Sequence, residues 1–277
     1  MLQKYFDIEV SKIKKYKLNE KDLFIALCNV INRHYGIATI YHGPRGFVDF
    51  DIHLKTRRKI RKTREISDLF LVFVGKDEIR YTFMQNKYSR QSHNDFKIPR
   101  VETCQHYLLA NQCQIYHKGR TLPKDILSSA ILPGVASYGI FYDDKPNYGM
   151  IYLDAFTMVP KRGFNDSIYT TYTSCEFVNS FQNNAIYYSK GWVEFVHATN
   201  LDDFEWKFNN MMIGTPLIDG NPLKPFILNY ISYAFRNCNN DELVAKLKER
   251  TARYSFDNLK HFDLKTNLNI ALLITEK

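Results

Sequence analysis

The feature that most constrains this chain is a pair of apolar runs, "SDLFLVFV" (67–74) and "IRYTFMQNKY" (79–88), separated by "GKDE". Both are rich in β-branched and aromatic residues, and the short polar link supplies a turn, so they predict an antiparallel hairpin. With Gly75 and Glu78 flanking the turn, Asp68 stands opposite Gln85. Alternate strand residues share a face. Asp68, Phe70 and Val72 therefore face the same way as Phe83, Gln85 and Lys87, and Asn86 faces the other way. Runs that otherwise read as core thus bring three polar groups together at the open end of the hairpin.

A carboxylate, an amide oxygen and a lysine in that arrangement suit metal-assisted phosphodiester hydrolysis. Asp68 offers oxygen to a hard divalent cation, and Mg²⁺ takes one or two carboxylates alongside water and substrate phosphate. The Gln85 amide oxygen and the Asn86 backbone carbonyl complete the protein's share. Lys87 orients or deprotonates water, or offsets charge on the scissile phosphate. A structural role competes with this reading, in which Asp68 and Lys87 pair near a strand end and Gln85 caps a backbone group.

Just upstream lies "LKTRRKIRKTR", with Lys55, Arg57, Arg58, Lys59, Arg61, Lys62 and Arg64. Such a run is commonly a solvated edge. Placed next to an acidic centre, it supplies a surface for phosphate backbones. The formal charge of +9 favours polyanionic partners in the same sense.

The segment "LNEKDLFIALCNVINRHYG" has helical periodicity, with Asn19 and Asp22 as a capping pair and Gly36 as a stop. "GIATIYHGPRGFVDFDIHL" predicts short strands around a Gly-Pro turn, "VETCQHYLLANQ" a helix, and "SYGIFYDDKPNYGMIYLDAF" a second hairpin. Three further helices are expected in "NLDDFEWKFNNMM", "NPLKPFILNYISYAFRN" and "NDELVAKLKERTARY", and a final strand in "NLNIALLI".

The order of helix, strand, Asp-bearing strand, turn and strand ending in Gln-x-Lys resembles the PD-(D/E)xK superfamily. That superfamily includes restriction endonucleases, resolvases and RecB-like nucleases. Its signature falls on Asp68 and on Gln85-Asn86-Lys87. The resemblance implies an α/β fold with a restriction-endonuclease-like mixed central sheet flanked by helices, Mg²⁺ (or Mn²⁺) dependence and DNA cleavage. It also makes Glu20, near the start of the preceding helix, a candidate auxiliary acid. Ser67 stands where the motif has proline. Gln85 stands where it has Asp or Glu, which removes a negative charge from the metal site.

Other chemistries find little in the chain. No histidine pair has H-E-x-x-H spacing, and no G-x-x-x-x-G-K-[ST] loop occurs. "GVASYG" (134–139) fails the nucleophile-elbow pattern because Val135 takes the first glycine position. Alternation puts Glu65 on the face opposite Asp68. Gln105 and Tyr107 lack the spacing of the Gln/Tyr helix of RecB-like enzymes. The five cysteines are scattered with no C-x-x-C pair, which suits a reducing compartment.

No run approaches the ~20 apolar residues of a membrane span, and the N-terminal stretch lacks a signal-peptide core. The expectation is a cytoplasmic protein with a nuclease-like core over 1–160 and a helix-rich region over 161–277. These also form one domain if the Pro-Lys-Arg-Gly segment at 160–163 is not a boundary. The function expected is a metal-dependent DNA endonuclease of restriction or defence type. The alternative is a nucleic-acid-binding protein with a degenerate, inactive site. DNA is the expected partner, with no membrane, and a homodimer accords with cutting both strands.

Overall fold

The computed structural model describes residues 1–15, 17–40, 47–54, 58–92, 97–116, 123–144, 147–177, 185–188, 191–194, 196–238, 240–256 and 268–276. It is a mixed α/β structure built on an eight-stranded sheet. Along that sheet lie β1 (Gly36–Thr39), β17 (Ile270–Ile274), β4 (Leu69–Val74), β5 (Ile79–Ser89), β8 (Ala136–Asp144), β9 (Asn147–Asp154) and β15 (His197–Ala198). The short β16 (Thr215–Pro216) pairs with β5 off this path. The sheet is mixed because β17 runs parallel to β4 and β5 parallel to β8, while the other neighbours are antiparallel.

A second sheet holds β3 (Lys59–Glu65), β2 (Phe47–His53) and β7 (Ile115–Tyr116). Three two-stranded ribbons complete the strands: β6 (Val101–Glu102) with β11 (Tyr172–Thr173), β10 (Met158–Pro160) with β12 (Cys175–Phe177), and β13 (Ala185–Tyr188) with β14 (Gly191–Glu194). The α-helices are α1 (Leu2–Ser11), α2 (Glu20–Val30), α3 (Thr103–Ala110), α4 (Gly163–Ser167), α5 (Leu201–Asn209), α6 (Lys224–Asn237) and α7 (Asp241–Thr251).

Strands of the central sheet are apolar on both faces, as burial on both sides requires. Phe70, Val72, Tyr81 and Phe83 enter one core with Leu108 of α3, Phe226 and Ile231 of α6 and Leu247 of α7. Leu69, Leu71, Phe73 and Met84 enter the other with Phe6 of α1, Leu23 and Leu27 of α2 and Phe204 of α5. The basic strand β3 lies over the first core, because its partner β2 buries Val48, Phe50 and Ile52 there.

α2 begins at the expected capping box, with Asn19 and Asp22 each bonding the other's backbone N–H. A π-helical turn, Ile31–Tyr35, extends it to Gly36. The glycine is required by close approach: a Cβ there would sit 1.8 Å from the Leu272 carbonyl oxygen of the neighbouring strand. The two strands expected around the Gly-Pro turn form but join different sheets, and the turn itself lies outside the described residues. The second hairpin, the helix at 103–110, the three later helices and the final strand also form. That strand and β15 and β16 come from beyond Pro160 and lie in the same sheet as the hairpin. All five cysteines are free thiols. Among the described residues no helix is long and apolar enough to cross a membrane.

Candidate functional site

The hairpin turn closes as its sequence dictates, with the Gly75 N–H donating to the Glu78 carbonyl at 3.0 Å. From it the ladder runs Val74 opposite Ile79 through Leu69 opposite Met84, the register that leads to Asp68 and Gln85. At Asp68 the chain leaves the ladder. Its N–H donates to the Met84 carbonyl at 3.1 Å, and its own carbonyl accepts the Asn269 side-chain amide at 2.7 Å. The half-buried Asp68 carboxylate then takes over a backbone's role: one oxygen, Oδ2, accepts the Asn86 N–H at 2.7 Å and also the Gln85 Nε2.

Gln85 is buried, and its orientation is fixed from behind by α3. Gln105 Nε2 donates to Gln85 Oε1 at 2.6 Å and to the Glu65 carbonyl at 3.0 Å. Glu65 thus contributes its backbone here. The Glu102 side chain holds α3 in place by capping Gln105 N at 2.5 Å and pairing with Arg64 at 2.9 Å. Both amides have one assignment that satisfies every partner, with nitrogen toward an acceptor and oxygen toward a donor. Turning Gln85 over would set two oxygens against each other at Asp68. Sequence spacing gave Gln105 no role in the site. Its contact depends on where α3 docks, which helical periodicity does not encode.

Next to this relay, His106 and Tyr138 are fully buried. Burial pulls the His106 imidazole down to about 4, against the opposing effect of its bond to the Met158 carbonyl. The neutral ring donates Nε2–H to that carbonyl at 2.7 Å, so Nδ1 accepts from the Tyr138 hydroxyl at 3.3 Å. Burial holds that phenol well above its ordinary value. This pair supports α3 against β8.

Lys87 is half-buried, and strand alternation puts it on the Gln85 face. Among the described residues it has no hydrogen-bond or ion-pair partner, so the Asp68–Lys87 pair is not formed. Asn86 points its side chain into the opposite core, where neither amide atom has a hydrogen-bond partner among the described residues. Glu20 is the first residue of α2, which packs on that opposite core.

Of the basic run, Lys55 and Arg57 lie outside the described residues. Arg58 precedes β3, and Lys59, Arg61, Lys62 and Arg64 occupy it in alternation, with Lys59 and Arg61 on the exposed row. Arg61 bonds Asp51 across the strands at 3.1 Å and lies 4.4 Å from the centre of the Tyr116 ring. The Arg61 guanidinium holds the Asp51 carboxyl below its ordinary value. Arg64 is engaged by Glu102. The side chains of Arg58, Lys59 and Lys62 have no ion-pair partner among the described residues.

The opposite face of the same strands carries a second polar row. Thr82 and Ser137 share a hydrogen bond of 3.0 Å, and the Tyr152 phenol lies among them and Asp154. Asp154 accepts from the Tyr152 hydroxyl at 3.3 Å and from Val196 N–H at 3.1 Å. Ser137 lies within β8, away from any strand-to-helix turn, so no nucleophile elbow forms.

Among the described residues no group of three or more His, Cys, Asp and Glu side chains gathers as a metal site. The donor kinds at the hairpin end (carboxylate, amide and backbone carbonyl) suit a hard cation. The amide orientation favours hydrogen bonds within the protein. Comparison with protein-family models, with curated proteins and with solved structures found no match.

Proposed function

We propose that this protein is a metal-dependent DNA endonuclease with a restriction-endonuclease-like core. The observation that carries the reading is the hairpin end, where Asp68 and Gln85 meet and Lys87, which has no hydrogen-bond or ion-pair partner among the described residues, shares their face. Further support comes from a mixed sheet with helices on both faces, and from the order α2, β1, Asp68, turn and Gln85-x-Lys87, interrupted only by β2 and β3. Asp68, the Gln85 side chain and the Asn86 carbonyl would hold Mg²⁺ or Mn²⁺, once Gln85 turns its oxygen toward Asp68. When bound, the cation supplies charge stabilisation at the scissile phosphate and a more acidic water. Lys87 offsets the charge that develops on the phosphate oxygens. Lys59, on the exposed row of β3, is the phosphate-backbone contact best placed to act, since its neighbour Arg61 and also Arg64 are already engaged. The free thiols fit a cytoplasmic protein, and a homodimer would bring two such sites to the two strands.

Incubation with supercoiled plasmid and Mg²⁺ or Mn²⁺ tests the reading. Nicking or linearisation supports it, cleavage of linear DNA alone points to an exonuclease, and intact DNA with both metals overturns it. A second reading, a nucleic-acid-binding protein with a degenerate site, is favoured by one observation: the Gln85 nitrogen, not its oxygen, faces Asp68. Calorimetric titration with Mn²⁺ separates the two. Binding by the wild type that Asp68→Ala removes supports the nuclease. Binding that appears only in Gln85→Glu supports the degenerate site.

A further inference from the structure

The hydrogen bonds around Gln85 bear on whether the site accepts a cation. Gln85 cannot turn over alone. With its oxygen toward Asp68, its nitrogen would meet Gln105 Nε2, donor against donor. Gln105 must then turn as well, and in turning it gives up its bond to the Glu65 carbonyl. The two glutamines therefore move as a pair, and both are buried where α3 meets β5, so a lost hydrogen bond is not replaced by bulk water.

We propose that Gln105 is a positioning residue that locks the site in its cation-free arrangement, so that residue 105, not residue 85 alone, sets the affinity for a divalent ion. This rests on the assignment of Asp68 and Gln85 as the cation site. The Gln105 side chain acts only through Gln85. Its removal frees the Gln85 oxygen without altering the charge of the site.

The test is calorimetric titration of the full chain with Mn²⁺ alone, for wild type, Gln105→Met, Gln85→Glu and Gln105→Met combined with Asp68→Asn. Methionine keeps the length of the side chain without the amide, and Gln105→Ala serves as a second variant if Gln105→Met does not fold. Gln105→Met is expected to bind Mn²⁺ about tenfold more tightly than wild type, the scale of one or two neutral hydrogen bonds no longer lost on binding. The gain should vanish in the double variant. If Gln105→Met titrates as wild type while Gln85→Glu gains binding, the lock is wrong and the cation site stands. If no variant binds Mn²⁺ in a way that depends on Asp68, both fall.

Discussion

On the α3 side of the central sheet, Asp68 stands half-buried at the rim of the hairpin and accepts from Asn86 N–H and the Gln85 amide. On the α2 side, Asp154 ends β9 fully buried, with Tyr152 and Val196 as donors. Each carboxylate heads a polar row that crosses β5 and its neighbours. They differ in access. The first row continues along β5 to the half-buried Lys87, whereas the second is sealed, and desolvation pushes the Asp154 carboxyl up to about 7 despite its two donors. A carboxylate at a rim can exchange its hydrogen bonds for a ligand; one in a sealed row can exchange only a proton.

The largest expected effect comes from cutting into the open row. Asp68→Ala and Lys87→Ala each lower metal-dependent cleavage by about 10²–10³-fold or more, the scale for removing a charge-stabilising group, with circular dichroism unchanged. Asp154→Asn, in the sealed row, leaves cleavage within about threefold at pH 6, where Asp154 is largely protonated. Full activity in a folded Asp68→Ala protein would end the site assignment.

The sealed row makes its own prediction for stability. The folded pKa of Asp154, about 7, lies above its unfolded value near 3.8. A raised acid binds its proton more tightly when folded. Its contribution is therefore fully present below the unfolded pKa and is lost as pH rises to about 7. The total is ~4 kcal/mol by linkage. Asparagine keeps both hydrogen bonds if Tyr152 reverses its role. Urea unfolding across pH 4–8 should show wild type losing stability relative to Asp154→Asn up to about pH 7, then holding level. A flat difference across that window would show that Asp154 titrates as an ordinary carboxyl.

Smaller effects come from the second sheet. Each phosphate contact adds about 0.9 to the log–log salt slope of duplex binding. Replacing Lys59 with Gln should flatten that slope by up to about 1, and replacing Lys62, on the other face of β3, by less. Arg61→Gln should flatten it by less than about 1, because Asp51 already answers that charge. Equal slopes in all variants would leave β3 a solvated edge. Smallest of all, Ser137→Ala removes the bond to Thr82 and should lower stability by about 1 kcal/mol, with cleavage unchanged.

Much of this architecture is legible in the residues. The Gly-Lys-Asp-Glu turn fixes the hairpin register through Met84, and alternation then places Phe70 and Phe83 in one core and Leu69 and Met84 in the other. Asn19 and Asp22 mark the start of α2. Partner choice is less legible. "IALLI" reads as a strand buried on both sides, yet nothing in its pattern names β1 and β4 as its neighbours. The same limit hid Gln105, whose partner Gln85 is set by helix docking, and the pairing of Arg61 with Asp51, which requires knowing that β2 lies beside β3.

The placement of β17 also has a consequence in time. Residues 270–274 fill the slot between β1 and β4, and Asn269 grips the Asp68 carbonyl and the Phe70 N–H. During synthesis the hairpin emerges roughly two hundred residues before the strand that must seat beside it, and contacts so distant along the chain form slowly. Until then β4 keeps one open edge and β1 lacks the one strand it pairs with among the described residues, the condition in which nascent chains stick to one another. A growing chain therefore carries Asp68 and Gln85 long before it can hold them in place, because β17, with the Asn269 that grips Asp68, is the last strand to be made.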